Sequence, residues 1–347
     1  MNEDKLLSLA RVDGILLFSS ENTRDVNFDY FSSFRKPTYS FFLAERKRKV
    51  LITSSIDYER ALKEASSDVV KLKDYDYKIK KVLKENFNGK SLGVVASSLP
   101  LSLAKTLRGY KLVDVSKIAS EIRAVKSKKE IKLIKKSCSI ANKGIKYVEE
   151  NLSLDESEAG FVKELEDYLK RFDIDGFAFE TIFASGKRSA FIHPYPARSK
   201  RKISSGLGLI DFGVVYKGYC SDVTVPFSFG KLNKKQEEIK EAVLEVYEEC
   251  KKELKVNVKA GEIFAKANEL LGKRGFELKH GLGHGIGLEV HDSPSLSFNS
   301  EDVVKRNMVL TLEPGVYEMD VGGCRLENDF LIAGRAKKLT RAKFLEF

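Results

Sequence analysis

The stretch "LGLIDFGVVYKGYCSDVTVPF", Leu207–Phe227, places two aspartates, Asp211 and Asp222, in the middle of runs otherwise apolar enough to be buried strands. If the two runs pair as a hairpin with an even-numbered loop, the odd separation of the two acids puts both carboxylates on one face. Buried carboxylates are rare unless they are ion-paired or bind a metal. This stretch therefore decides two things together: an antiparallel sheet in place of βαβ units, and a polar centre inside it.

Working outward, the same pattern recurs. "MVLTLEPGVYE" (308–318) and "CRLENDFLIA" (324–333) are strand-like runs that carry Glu313 and Glu327. A salt bridge explains any one such acid. Four in one region point to convergence, and four converging carboxylates raise one another's pKa unless cations balance them. Two divalent ions would do so, which is the charge logic of a two-metal hydrolase. Oxygen-rich donors suit Mn²⁺, and one imidazole would also admit Co²⁺, Fe²⁺ or Zn²⁺. "KHGLGHGIGLEVHDSP" (279–294) can supply it: three of the four histidines of the chain fall here, and His284 lies between Gly283 and Gly285, leaving its backbone free to approach a metal.

Helices frame these strands. Ser127 and Glu130 form an S-x-x-E capping box, followed by an amphipathic stripe through Ile131, Ile134, Cys138, Ala141, Ile145 and Val148. Further helices are expected over 156–172, 233–255 and 260–274, with Gly275 as a stop. Upstream, "GILLFS" (14–19), "SFFLAE" (40–45), "KVLITS" (49–54) and "SLGVVA" (91–96) read as strands, with helices over 57–65 and 100–109 between them. That alternation describes a small α/β domain. The expected organisation is an N-terminal α/β domain, 1–121, and an α+β domain, 122–347.

Composition narrows the function classes. A 347-residue chain that is 42% hydrophobic and 32% charged reads as an ordinary globular protein of two domains, or of one large domain with an appendage. No apolar run approaches the roughly 20 residues that span a bilayer, and the charged N-terminus has no signal-peptide core. Cys138, Cys220, Cys250 and Cys324 are scattered without CxxC spacing, which argues against disulfides and structural zinc. A cytoplasmic protein without a membrane partner is expected. The net charge of +11 is mostly lysine mixed with glutamate on helix faces, as in "KKQEEIKEAVLEVYEECKKELK", which reads as solvated surface and not as a nucleic-acid partner.

The ordered set of motifs resembles the metallopeptidases of the pita-bread fold, the family of proline dipeptidases, aminopeptidase P and methionine aminopeptidase. The landmarks are "FASGKRSAFIH" ending at His193, D-x-G at Asp211, S-D-x-T at Ser221–Thr224, H-x-x-G-H-G-x-G at His280–Gly287, E-P-G at Glu313–Gly315 and R-x-E at Arg325–Glu327. "IRAVKSKKEI" (122–131) and "NFDYFSSF" (27–34) also look like family segments. The resemblance implies a pita-bread catalytic domain behind a creatinase/prolidase-type α/β domain. It implies two divalent metal ions per subunit, with Mn²⁺ or Co²⁺ favoured over Zn²⁺ or Fe²⁺. Asp211, Asp222, His284, Glu313 and Glu327 would be the ligands, and Asp222 and Glu327 would bridge both ions.

By the same resemblance Glu313 would be the general base. His193 and His291 would hydrogen-bond the substrate or the tetrahedral intermediate. His280 would support the loop or touch substrate, and Arg325 would fix nearby carboxylates. The aromatic "SAFIHPYPA" segment, with Phe191 and Tyr195, is a candidate wall for a proline ring. Val225, Pro226 and Asp292 depart from the residues common in the family, and none of them removes a ligand. The implied activity is hydrolysis of the bond preceding proline, closest to a compact Xaa-Pro dipeptidase acting as a homodimer. Aminopeptidase P acting on longer Xaa-Pro peptides is the alternative, and a metal-free binding module the remote one.

Overall fold

The computed structural model describes residues 2–194 and 200–347. Tyr195, a candidate for the proline-ring wall, lies outside the described residues. The chain divides into two compact units, Met1–Arg123 and Ala124–Phe347.

The first unit is built on a six-stranded sheet. Its order in space is Asp68–Lys71, Lys49–Thr53, Tyr39–Ala44, Gly14–Ser20, Ser91–Val94 and Lys111–Asp114. The two pairings that join 49–53, 39–44 and 14–20 are antiparallel, and the other three are parallel. Gly14–Ser20 reads as a continuous apolar run because both faces are covered: Ile15 and Leu17 enter one core cluster, Leu16 and Phe18 the other. The two edge strands, "DVVK" and "KLVD", were not expected from sequence; four residues of half-buried character carry too little pattern. "NFDYFSSF" starts in a short helix, Val26–Ser32, capped by Asp25, whose side chain accepts from Asn27 N. Phe28, Phe31 and Phe34 are buried in the core of this unit, and Arg123 donates to the Asn27 amide oxygen.

In the second unit, helices Lys128–Asn151, Glu158–Leu169, Lys234–Glu253 and Ala260–Lys273 match the expected segments within a few residues. Ser127 and Glu130 close their capping box, and Asn233 with Gln236 closes a second one. Gly275 takes a positive φ of 78° just beyond the last helix, where a side chain would be strained. The helices pack on small, mainly antiparallel sheets. One has the order Leu345–Glu346, Val223–Phe229, Gly206–Phe212, Ile182–Ser185. Another runs Asp292–Leu296, Gly283–Gly285, Val309–Leu312, Asn328–Ile332, Ala336–Lys338. A separate hairpin pairs Gly315–Glu318 with Gly322–Arg325.

The long strands expected from sequence are each interrupted, and three of the four interruptions fall at an acid. The run over 206–216 breaks at Gly213, where a Cβ would stand 2.1 Å from the Ser221 carbonyl oxygen. The run over 218–230 breaks at Ser221 and Asp222, 308–318 at Glu313 and Pro314, and 324–333 at Leu326 and Glu327. Pro314 has no N–H for a ladder. At the breaks of 218–230 and 324–333, Asp222 and Glu327 line one cavity. These breaks let one chain turn from one sheet into the next around a common centre.

Candidate functional site

Asp211 and Asp222 do share a face. Thr224 lies opposite Asp211 in the register between Gly206–Phe212 and Val223–Phe229, and Asp222 is two residues before Thr224. Ser221 holds the turn: its hydroxyl accepts from Val214 N at 3.1 Å, and its own N–H donates to Val214 O at 3.0 Å. Thr224 Oγ1 donates to Glu327 Oε2 at 2.7 Å, while Glu327 N donates to Thr224 O at 3.2 Å, tying the two acid-bearing segments together.

His284 enters from Gly283–Gly285. Its N–H donates to Thr311 Oγ1 at 2.9 Å, and its Nε2 lies 3.3 Å from Glu313 Oε1 and 3.6 Å from Asp222 Oδ2. The flanking glycines serve a purpose other than the one inferred from sequence. A Cβ at Gly283 would stand 2.3 Å from Thr311 O, and one at Gly285 would stand 2.0 Å from Ser293 O. They make room for neighbouring backbone. The His284 and His291 rings meet edge to face with centroids 4.4 Å apart.

Three sets of side chains bring possible ligand atoms within 4.8 Å of one another: Asp211, Asp222 and Glu327; His284, Glu313 and Glu327; and Asp222, His284 and His291. The sequence reading put His291 with the substrate-facing residues, and the structure also brings it beside two acceptors of metal type. His193 is exposed, belongs to none of these sets, and lines the same cavity of about 350 Å³ as the four acids, His284 and His291. Phe191 is half exposed and does not line that cavity; it borders a neighbouring one together with His193.

His280 sits behind. Its Nε2 is 3.0 Å from Tyr317 Oη, its Nδ1 2.7 Å from Gly281 O and 3.9 Å from Glu313 Oε2. Arg325 is fully buried and spends its fork on Thr224 Oγ1 at 2.9 Å, Tyr317 Oη at 2.8 Å, Ile192 O at 3.2 Å and the Asp211 carboxylate. Since Arg325 donates to Tyr317, the phenol's own proton is free to go to His280 Nε2, leaving Nδ1–H for Gly281 O.

Electrostatics divide the acids. Burial, then repulsion from Glu327 and the other acids, pushes Asp222 well above the ordinary carboxylate range. Glu327 is pushed up by burial and by Glu313 and Asp211. Asp211 is raised by burial despite Arg325. Glu313 departs from the uniform rise expected of converging carboxylates. Burial pushes it up, but His284 beside it more than reverses this and brings it to about 2. His284 would be lowered by burial, yet Glu313 holds it above the ordinary imidazole value. Burial keeps His280 and His291 below that value, hence neutral near pH 7.

Oxygens of Asp211 (Oδ1), Asp222 (Oδ1) and Glu327 (Oε1) are buried and have no hydrogen-bond partner. Buried, unsatisfied acceptors of this kind are costly. With the imidazole of His284 they make an oxygen-rich donor set that fits divalent cations.

Sequence reading missed Asp329. It is fully buried, and its Oδ2 accepts from Asp222 N at 3.1 Å and from Cys138 Sγ at 3.3 Å. Burial raises it to about 7. A signal existed, because Asp329 is two residues from Glu327. Tyr317 and Thr311 had none, being ordinary strand residues.

Comparison with known proteins gives the same two-part division. Residues 132–333 match metallopeptidase family M24, and residues 4–125 match the creatinase/prolidase N-terminal domain. The Xaa-Pro dipeptidase of Pyrococcus furiosus is 33% identical, over 96% of this chain and 98% of its own. Among solved structures, an Xaa-Pro dipeptidase from Bacillus anthracis superposes with a TM-score of 0.90 at 28% identity, covering 100% of this chain and 99% of that one. An X-Pro aminopeptidase from Thermotoga maritima gives 0.87 at 29% identity, covering 99% and 100%.

Proposed function

The chain belongs to metallopeptidase family M24, and from that premise we propose that it is an Xaa-Pro dipeptidase that hydrolyses the bond preceding proline, using two divalent cations held by Asp211, Asp222, His284, Glu313 and Glu327. One observation carries the two-ion reading. The three donor sets are distinct but overlap, and the carboxylates that recur in them are Asp222 and Glu327, the pair suited to bridging. Mn²⁺ or Co²⁺ fits this mixed carboxylate–imidazole set, and Fe²⁺ or Zn²⁺ is compatible with it.

Bound cations would supply Lewis-acid polarisation of the scissile carbonyl and an acidified water. The protein's own groups do the rest. Glu313 Oε1 faces His284 and Thr311, so Oε2 is the oxygen placed to take the proton of the attacking water. It then delivers that proton to the proline nitrogen, a leaving group that must be protonated to depart. His193 and His291 offer N–H donors to the oxygen on which charge develops. Arg325 and Tyr317 act at one remove, holding Asp211 and His280 in place.

The second reading, aminopeptidase P, has an observation in its favour: the Thermotoga aminopeptidase matches this chain over its full length nearly as well as the dipeptidase does. Metal-stripped protein given Mn²⁺ or Co²⁺ distinguishes the two. Release of free proline from Ala-Pro, with Ala-Pro-Ala left intact, supports the dipeptidase. Cleavage of the tripeptide after alanine moves the assignment to aminopeptidase P. Absence of metal-dependent hydrolysis of either overturns both. We also take the protein to act in the cytoplasm, from its composition and scattered cysteines, and as a homodimer, as its resemblance implies; a monomer mass by light scattering would remove the second point.

A further inference from the structure

A second cavity, of about 490 Å³, opens beside the acidic one, and His193 and Pro194 line both. The charge of the two is opposite. Among the described residues no lysine or arginine lines the first, whereas Lys187, Arg188 and Arg201 line the second. Arg188 is the structural member of the three, held by Glu158 at 2.8 Å. Lys187 is 74% exposed and among the described residues meets only Asp320, itself 87% exposed, at 3.6 Å. A pair so wet is weak and open to exchange. Arg201 is exposed, and no carboxylate among the described residues pairs with it.

The walls of this groove are tied to the catalytic residues. Lys187 belongs to the 3₁₀ turn Gly186–Ala190, which leads directly to His193. Opposite, Asp320 is in the tip of the hairpin whose second strand ends at Arg325. Gly323 N donates to Ser189 Oγ at 2.8 Å, and Arg325 donates to Ile192 O, so turn and hairpin are clamped together. The walls of the groove are therefore tied to the segments that carry His193 and Arg325.

A peptide is itself a dipole, with an ammonium at one end and a carboxylate at the other. With the four carboxylates balanced by the two proposed cations, the groove beyond His193 and Pro194 is the charged side of the site, and it orients such a substrate with its carboxylate toward Lys187 and Arg201. Resting on the Xaa-Pro reading above, we propose that this groove is the subsite for a carboxylate on the leaving-group side, with Lys187 and Arg201 as its specificity-determining residues. That carboxylate is either the terminal group of proline or the side chain of an acidic residue following it.

The test uses Mn²⁺-loaded protein and two pairs of near-isosteric substrates that differ only in charge: Ala-Pro against Ala-Pro-amide, and Ala-Pro-Asp-amide against Ala-Pro-Asn-amide. In the Lys187→Ala/Arg201→Ala protein the charged-to-neutral ratio of kcat/KM should fall about tenfold for one pair, through KM, with the loss shrinking at high salt. The pair that responds identifies the carboxylate. Lys187→Arg/Arg201→Lys should restore most of the ratio. Ratios unchanged in both pairs, with wild-type hydrolysis intact, overturn the groove and leave the Xaa-Pro reading standing. Wild-type protein that cleaves none of the four overturns both.

Discussion

Glu158 and Glu327 are both buried acids of the second unit, 0% and 2% exposed, and the protein treats them in opposite ways. Glu158 is answered on both oxygens: Oε1 accepts from Ser185 N and Oγ at 2.9 and 2.8 Å, and Oε2 accepts from Arg188 at 2.8 Å. Glu327 has one partner, Thr224, an unsatisfied Oε1, and three other carboxylates around it. Glu158 brings its own cation and donors, whereas Glu327 is left incomplete by the polypeptide, and on the proposed reading bound cations supply the missing charge. An unanswered oxygen alone does not mark such an acid, since buried Asp25 and Asp29 each carry one; the clustering of Glu327 with Asp211, Asp222 and Glu313 says more.

The largest expected break in this comparison is on activity. Glu327→Gln should lower metal-dependent kcat by about 10³-fold or more, the scale of losing a group that organises transition-state charge. It should also abolish the rise in Tm that Mn²⁺ gives the wild type, while Glu158→Gln keeps that rise. A metal-induced rise of wild-type size in Glu327→Gln would mean that Glu327 is not a ligand. Arg188→Ala should act on the fold, stranding Glu158 at a cost of about 3 kcal/mol. Urea denaturation of the metal-free protein measures it, and a cost below about 1 kcal/mol would place Glu158 among weakly coupled surface acids.

The comparison also has a pH form. In metal-free folded protein, Asp222, Glu327 and Asp329 keep protons that the unfolded chain has released by about pH 5. Their stabilising contribution is complete below the unfolded values and is lost as pH rises through the folded ones, through about 7 for Asp329. Glu313 works the other way: its contribution is present above its unfolded value and is lost as pH falls toward about 2. Stripped protein should thus have a lower Tm at about pH 8 than at about pH 5, and Mn²⁺ should shrink or reverse the difference because metal ligands bind in their ionised form. A stripped-protein Tm that rises over that range would show the acids already neutralised by the chain. The smallest effect is expected from Tyr317→Phe. Removing the hydroxyl between Arg325 and His280 should cost about 1 kcal/mol in stability and change kcat by no more than a few-fold.

Most of the site was legible because acids and histidines stand out against apolar strands: Asp211, Asp222, Glu313 and Glu327 announce themselves by violating burial, and His284 by its glycines. Roles that depend on contact across the fold were not legible. Thr224 was part of a motif, but nothing in the sequence shows its hydroxyl between Glu327 and Arg325. Asp329 was hidden by standing beside Glu327 and Asn328, where three polar residues in succession look like a strand ending. The same blindness affected the strands. A run such as "MVLTLEPGVYE" keeps its apolar pattern across Glu313, although the chain there passes from one sheet to another. In the first unit the central strands were clear from apolar content, whereas the two edge strands, short and half wet, were not.

All four cysteines are buried, and burial raises the thiols of Cys138, Cys250 and Cys324, the latter two to about 12. Thiol reagents attack the thiolate, so these groups are silent while the protein is closed. They can serve as internal clocks of its opening. Cys138 is the informative one, because its hydrogen bond to Asp329 joins the long helix to the acid that holds the Asp222 backbone. The rate at which it becomes labelled reports how often that scaffold comes apart, and occupancy of the site by metal should slow it by mass action. The enzyme thus contains a gauge of its own readiness, readable without any substrate.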